Sequence, residues 1–395
     1  MKKLIDSLKY IKLKDLSAPF IFLIILPFSI GFRIINIAKG RKLWVICESG
    51  DTARDNGYYF YKYVKDNHSK DFCFYVIDKS CSDYKKLQND KTIIQFKSIR
   101  HWLYYMSANL NISSQKNGNP NQPFFYFIHV VLKLYPNRVF LQHGITHNNL
   151  IWLYYKNTNF KYFICGAKRE YEYVKEKFGY PEGSVIYTGF PRFDSLYDYK
   201  VNKNQILIMP TWRNWLGRET NNLSKKQDFL KTTYYKNWNG LLNSEKFINY
   251  IEQQNIMVYF YPHYNMQKFI NNFKIKSDNI KIVDNSCVDI QTLLKESEIL
   301  ITDYSSVYMD FAYMNKKIIY FQFDYEEYRK KQYSEGYYDY KTDSFGPISK
   351  NCQDIIKNLF EINNDFESIY LKRINEFFEL KDKNNCSRLY EVIRK

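Results

Sequence analysis

An α/β architecture built from two Rossmann-like halves follows from three observations on this 395-residue chain. From residue 42 onward, short runs rich in Val, Ile, Tyr and Phe alternate with longer amphipathic segments, the pattern of parallel strands joined by crossover helices. The pattern loses hydrophobic order and gains charge and turn formers over Phe193 to Gln205, then starts afresh. The length also exceeds what one hydrophobic core comfortably fills.

Taken in order, the first half offers strands at KLWVICES (42–49), FCFYVID (72–78), KTIIQF (91–96), NLNISS (109–114), RVFLQHG (138–144), YFICG (162–166) and SVIYTG (184–189). Each is short, β-branched or aromatic, and bounded by turn formers. NGYYFYKYVKD (56–66) and KREYEYVKEKFG (168–179) read as helices by their spacing. The second half repeats the theme with strands ILIMP (206–210), IMVYFYPH (256–263), KIVD (281–284), EILITD (298–303) and KIIYFQF (317–323). Its helices are SEKFINYIEQQ (244–254), VDIQTLLKESE (288–298) and SSVYMDFAYM (305–314). GNPNQP (118–123) and the stretch Trp212 to Lys236 read as loops or irregular insertions. Beyond Asp354, the spacing of Ile355, Ile356, Leu359 and Phe360, then Ile369, Ile374, Phe377 and Phe378, predicts helices. The divisions expected are 1–40, 41–198, 199–370 and a helical tail at 371–395.

The first segment differs from the rest. Leu4, Leu8, Ile11, Leu13 and Leu16 are interspersed with lysines and lead into APFIFLIILPFSIGF, which ends before Arg33. That run is shorter than the roughly 20 residues of a bilayer span, and Pro19 and Pro27 interrupt it. No small-residue cleavage site follows, as a signal peptide requires. The expectation is a basic interfacial or re-entrant segment that holds the chain on the cytoplasmic face of the cell membrane, peripheral or monotopic, against anionic lipid.

Lys and Arg number 58 against 41 Asp and Glu, a net charge of +17, which favours negatively charged partners. The seven cysteines are scattered and show no metal-ligand spacing, so a reducing compartment is expected and no metal site is read. The phosphate-cradling, dinucleotide, zinc-protease and hydrolase motifs are all missing, and so is an Asp-x-Asp that would bring a divalent metal to a nucleotide sugar. No cofactor is called for.

Four places carry candidate chemistry. In ILITDYSSVYMDFAYM (299–314), Asp303 ends a strand and Ser305 or Ser306 can cap the next helix. One serine suffices for a cap; two, with exposed N–H donors at a strand's carboxyl end, also make a diphosphate seat. Asp310 lies in the same helix. In VFLQHGITHNN, His143 follows a strand and precedes Gly144, where close approach is open to a ligand, and a histidine there suits proton removal near neutral pH. A structural hydrogen bond is the alternative for it. His263, past a strand and fixed by Pro262, can donate to a phosphate oxygen or sit in a surface turn. In ILIMPTWRNWL, Thr211, Trp212 and Arg213 follow a strand, and arginine suits phosphate bidentately.

Together these stretches resemble the CDP-glycerol glycerophosphotransferase family, enzymes that build teichoic acids and phosphate-containing capsules. The matching pieces run in order: DNGYYFYKYV (55–64), LQHG (141–144), TGFPRFDSL (188–196), MPTWR (209–213), YPH (261–263), TDYSSVYMDFA (302–312) and DYEEYRKKQ with FGPI downstream (324–348). The resemblance implies a GT-B fold with the site in the interdomain cleft, a CDP-glycerol or CDP-ribitol donor, and a lipid-linked glycan or polyol-phosphate acceptor. Nucleic acid is not implied as a partner, and the oligomeric state is left open.

By the same resemblance His143 is the general base on the acceptor hydroxyl, with Asp55, Asn56 and Gly144 on the acceptor side. His263, Thr211, Arg213, Asp303, Ser305, Ser306 and Asp310 fall at donor phosphate or nucleotide positions. One departure stands out. Tyr261 and Pro262 occupy the place where relatives often carry a basic residue, so Arg213 or Lys268 is expected to supply that charge. A glycosyltransferase of the same fold and a basic membrane-surface or RNA-binding protein are the rivals; the second lacks any nucleic-acid signature.

Overall fold

The computed structural model describes residues 12–197, 199–217, 225–284, 289–364 and 368–395; Leu4, Leu8 and Ile11 of the first segment, and Cys287, one of the seven cysteines, lie outside the described residues. The chain forms two compact units. One comprises residues 1–145, 151–195 and 382–395, the other residues 146–150 and 196–381.

The first unit opens with helix α1 (Ala18–Ala38) and continues through β1 (Leu43–Cys47), α2 (Asn56–Asn67), β2 (Phe72–Ile77), β3 (Ile93–Gln95), α3 (Ile99–Ser107) and β4 (Leu110–Ser113). β5 (Arg138–Phe140), β6 (Tyr162–Cys165), α4 (Lys168–Lys177) and β7 (Val185–Tyr187) complete its strands. The seven strands lie in the order β3-β2-β1-β4-β5-β6-β7, all parallel. Because helices cover both faces, β1 is buried along its whole length, which explains its unbroken apolar run. The C-terminal helix Asn385–Arg394 packs Leu389, Tyr390 and Ile393 onto Trp44, Phe60 and Val64. Its start is pinned by Asp194, which accepts from the backbone N–H groups of Asn385 (3.0 Å) and Cys386 (2.8 Å).

The second unit contains β8 (Asn202–Met209), α5 (Thr233–Leu242), α6 (Glu245–Gln253), β9 (Met257–Phe260), β10 (Ile280–Ile282), β11 (Ser297–Thr302) and α7 (Val307–Tyr313). β12 (Lys317–Phe321), α8 (Tyr325–Lys331), β13 (Ile348–Ser349), α9 (Cys352–Asn364) and α10 (Ser368–Phe377) follow. Its six parallel strands run β10-β9-β8-β11-β12-β13. In both sheets the chain works outward from a central strand and then crosses back, so β1/β4 and β8/β11 are the places where the order reverses. Ligands of doubly wound sheets bind outside the carboxyl ends of such a pair.

Three elements differ from the sequence reading. Pro27 does not interrupt α1, which runs 21 residues through it and past Arg33. One stripe, Ala18, Ile25, Ser29 and Asn36, is buried, and Ser107 of α3 donates to the Ser29 carbonyl at 3.1 Å. Packing on α3 thus offsets the backbone bond that proline removes. Within the stretch Trp212 to Lys236, read as irregular, Asn214–Gly217 and Lys225–Lys231 are helical and α5 begins at Thr233, with Trp238, Leu241 and Leu242 as its fully buried face; residues 218–224 lie outside the described residues. The tail beyond residue 371 is divided, with α10 in the second unit and the C-terminal helix in the first.

Candidate functional site

In the second unit, the loop after β8 and the end of β11 are stitched together at the reversal point. Asp303 Oδ1 accepts from the backbone N–H groups of Thr211 and Tyr304, both at 2.7 Å, and Thr302 Oγ1 donates to the Met209 carbonyl at 2.6 Å. The Thr211 hydroxyl is buried there and meets no hydrogen-bond partner among the described residues. Ser305 and Ser306 are half-buried at the entry to α7; among the described residues the Ser305 hydroxyl accepts only a long bond from Val307 N, 3.5 Å, and Ser306 makes no side-chain cap. Asp310 is buried in the first turn of that helix.

His263 closes the same end of the sheet. Its N–H donates to the Pro210 carbonyl at 3.3 Å, next to Thr211, and its ring stacks on Trp212 with centroids 6.0 Å apart. Nδ1 accepts from Asn265 N at 3.2 Å, so the imidazole caps the short helix Tyr264–Asn272 through one nitrogen. That helix carries Lys268, which is exposed.

Arg213 occupies a different position from the one the sequence suggested. Its guanidinium is 0% exposed and is engaged inside the unit. Nε and Nη2 donate to Asp324 at 2.8 and 2.9 Å, Nη1 donates to the Thr211 carbonyl at 2.9 Å, and Nη2 lies 2.8 Å from Asp303 Oδ2 as an ion pair without hydrogen-bond alignment. The rings of Tyr304 and Tyr328, stacked 3.8 Å apart, lie 5.1 and 5.2 Å from its central carbon. Burial pushes the Asp303 carboxyl up, and the Arg213 charge opposes that push. The positive charge is therefore spent on carboxylates that shape the β8 and β11 loops.

In the first unit, His143 lies exposed in the loop after β5, one residue past Gln142, whose φ of 60° is left-handed. Asn56 holds that turn: its Nδ2 donates to the carbonyls of Leu141 (3.2 Å) and Gln142 (2.8 Å), while its Oδ1 accepts from Arg192 N at 3.1 Å. Gln142 itself donates to Ile164 O at 2.7 Å and to Glu170 Oε1 at 2.9 Å. Asp55 caps α2 through Asn56 N and pairs with Arg192 at 3.1 Å. Gly144 is half-buried beside His143. Asn56 thus braces the histidine's loop directly, while Asp55 holds the start of α2 and Arg192.

Sequence reasoning missed Glu48, the first residue after β1. Its buried carboxylate accepts from the N–H groups of Asp55 (2.8 Å), Tyr58 (3.0 Å) and Arg54 (3.2 Å) at the start of α2. Burial, aided by the Asp55 charge, pushes the Glu48 carboxyl up to about 7 against those three bonds. Gly57 packs closely beside it: a Cβ there would lie 3.1 Å from Glu48 Cγ. Asp324 and Arg192 were missed as well, although both fall within the matching stretches DYEEYRKKQ and TGFPRFDSL.

The six histidines now separate. His101 and His129 are buried, and burial holds each near a pKa of about 3. His147 is buried among Tyr308, Tyr338 and Tyr340, with Nε2 3.0 Å from Asn148 Nδ2. His68 stacks on Tyr390, centroids 3.6 Å apart. His143 and His263 remain as the two that reach solvent beside the carboxyl end of a strand.

The profile of the CDP-glycerol:poly(glycerophosphate) glycerophosphotransferases matches residues 32–395. Among curated proteins, the minor teichoic acid biosynthesis protein GgaB of Bacillus subtilis (strain 168) is 31% identical over 371 residues, 91% of this chain and 40% of its own length. The teichoic acid poly(glycerol phosphate) polymerase of Bacillus spizizenii is 26% identical over 397 residues, covering 93% of this chain and 95% of the relative. The chain therefore spans less than half of the first relative and nearly all of the second. Among solved structures, the wall teichoic acid polymerase TagF superposes with a TM-score of 0.61 at 17% identity, covering 93% of this chain and 96% of that one. The S. aureus MnaA–UDP structure gives 0.55 at 12% identity, covering 89% and 96%. These likenesses establish a GT-B-like fold.

Proposed function

The chain belongs to the CDP-glycerol:poly(glycerophosphate) glycerophosphotransferase family, and from that premise we propose that it moves glycerol phosphate, or ribitol phosphate, from a CDP-alditol to a hydroxyl of a teichoic-acid-like or capsular acceptor, releasing CMP. The observation that carries this reading is the arrangement at the β8/β11 reversal: an unpartnered buried Thr211 hydroxyl, two serines at a helix start, and His263 on the same sheet end. An anion held there meets N–H and O–H donors.

In the proposed reaction the acceptor oxygen attacks the phosphorus that bears the alditol, and His143 takes the hydroxyl proton. The new P–O bond forms as the bond to CMP breaks. His263, Thr211, Ser305 and Ser306 stabilise the charge that develops on the departing phosphate. Arg213 acts through Thr211 and Asp303 by holding the two loops in place, and Asn56 acts through the turn that carries His143.

The acceptor is proposed to be lipid-linked or polymeric, reached at the cytoplasmic face of the membrane. The outer face of α1 supports this: Phe20, Leu23, Ile24, Phe28 and Ile34 are each at least 60% exposed. Soluble chains rarely leave a continuous apolar face of this kind uncovered.

The test is CMP release from CDP-glycerol, CDP-ribitol and a UDP-sugar, each offered with the same acceptor. A CDP-alditol alone is expected to turn over. The substitution His143→Ala should leave donor affinity unchanged and lower CMP release about 100- to 10,000-fold, the range lost with a general base. Turnover of the UDP-sugar instead, or undiminished release by the variant, overturns the donor or the base assignment respectively.

A further inference from the structure

A cavity of about 670 Å³ opens on the first unit between α2 and residues 85–92; Tyr58 alone of its lining residues touches the groups described above, through its backbone N–H to Glu48. This is the size of a small-molecule site, but polar groups dominate its walls. Lys62 and Lys65 line it from α2, and Lys85, Lys86 and Lys91 from the opposite side.

The nearby carboxylates, Asp83, Asp90 and Asp66, which lines the cavity beside Lys62 and Lys65, are fewer than the five lysines and neutralise only part of this charge. Asp90 accepts from the Tyr61 hydroxyl and from Thr92 N (2.8 Å) and Oγ1 (2.6 Å), while Lys65 lies 3.8 Å away. Burial disfavours the charged form of Asp90, yet the bonds from Thr92 and Tyr61 prevail and hold its carboxyl below the usual value. Lys86 pairs with Asp83 at 3.2 Å. Lys62, Lys85 and Lys91 are exposed and pair with no carboxylate among the described residues. The Tyr61–Asp90 bond ties the two walls together.

We propose that this cavity binds a flexible chain of phosphodiesters, gripping phosphates of a polymeric acceptor at a distance from its reacting end. The proposal rests on the transferase reading above, which supplies the polymer. Ammonium groups on two walls, in excess over Asp66, Asp83 and Asp90, suit successive phosphates better than one, because each is a compact point charge on a long stem. The cavity also lacks the open aromatic faces on which bases of single-stranded nucleic acid stack. Tyr61 is buried, and Tyr58 has Lys86 5.8 Å from its ring centroid and Tyr59 against its edge.

The experiment uses the full chain and a synthetic oligo(glycerol phosphate), with calorimetry as the readout and glycerol 3-phosphate as the single-phosphate control. The oligomer should bind far more tightly than the control, with affinity falling steeply as salt rises. Replacing Lys62, Lys85 and Lys91 together by Gln should weaken oligomer binding on the order of ten-fold, summing three exposed charge pairs. The same substitutions should raise KM for an oligomeric acceptor while leaving kcat unchanged. All three side chains are at the surface, and an unchanged circular dichroism melt verifies the fold.

Undiminished oligomer binding by the triple variant overturns the proposal. So does equal, lysine-dependent binding of single-stranded RNA of the same phosphate count, or loss of binding to anionic vesicles with oligomer binding retained. If the oligomer binds as expected but no CDP-alditol releases CMP, the transferase reading fails and the phosphate-chain site stands.

Discussion

Replacement of Arg213 by Met separates a loop-bracing arginine from a phosphate-contacting one. The guanidinium is fully buried, with two bonds to Asp324, one to the Thr211 carbonyl and an ion pair to Asp303. Met fills much of the volume but leaves two buried carboxylates without a cation. Removing one partner of a buried pair costs about 3–5 kcal/mol. In a unit of this size each kcal/mol moves the melting temperature by roughly 2–4 °C, so the second unit should melt on the order of 10 °C lower. Tryptophan emission follows it, since Trp212, Trp215 and Trp238 all lie in that unit. The loss should shrink in acid, where the stranded carboxylates take up protons, and adding Asp324→Asn should recover part of it, a non-additive cycle. A variant that melts with the wild type while losing donor affinity would refute the reasoning and return Arg213 to the phosphate.

Three further outcomes are expected. Folded Glu48 keeps its proton up to about 7 against 4.5 for an ordinary Glu, so folding takes up a proton between those values. Its contribution to stability is thus present at low pH and falls as pH rises through that window, by at most about 3 kcal/mol; urea midpoints measured from pH 4.5 to 8 should lose this fall in Glu48→Gln. Asn56→Ala strands the Leu141 and Gln142 carbonyls, at about 1–3 kcal/mol; assayed well below its melt, it should lower kcat and leave donor KM unchanged, whereas an unchanged kcat removes Asn56 from the positioning of His143. Phe28→Glu, on the outer face of α1, should shift the protein from pelleted anionic vesicles to the supernatant without changing its melt; undiminished pelleting would contradict docking through that face.

Much of this was legible in the sequence because parallel sheets buried on both faces write their strands as short apolar runs. KLWVICES and EILITD were readable for that reason, and the turn formers between Phe193 and Gln205 marked the passage to the second sheet. What escaped depended on distant partners. Arg213 looked like a phosphate ligand because Asp324, 111 positions further on, is not a neighbour until the sheet assembles. Glu48 resembled any solvated acid at a strand end until the start of α2 turned three N–H groups onto it. Local propensity makes Pro27 a break, and only the contact with α3 shows why α1 continues. Ser305, Ser306 and His263, by contrast, owe their positions to local signals, a strand end and a helix start.

The return of residues 382–395 to the first unit has a consequence for how the protein is made. Trp44 and Phe60 sit near the start of the chain, yet the side chains that cover them, Leu389, Tyr390 and Ile393, emerge only after the whole second sheet has been synthesised. The amino-terminal unit therefore cannot finish folding as its own residues leave the ribosome, contrary to the usual order for successive domains. It must wait, with the Trp44 face open, until Asp194 can capture Asn385 and Cys386. The second unit can close first, although it comes later in the chain.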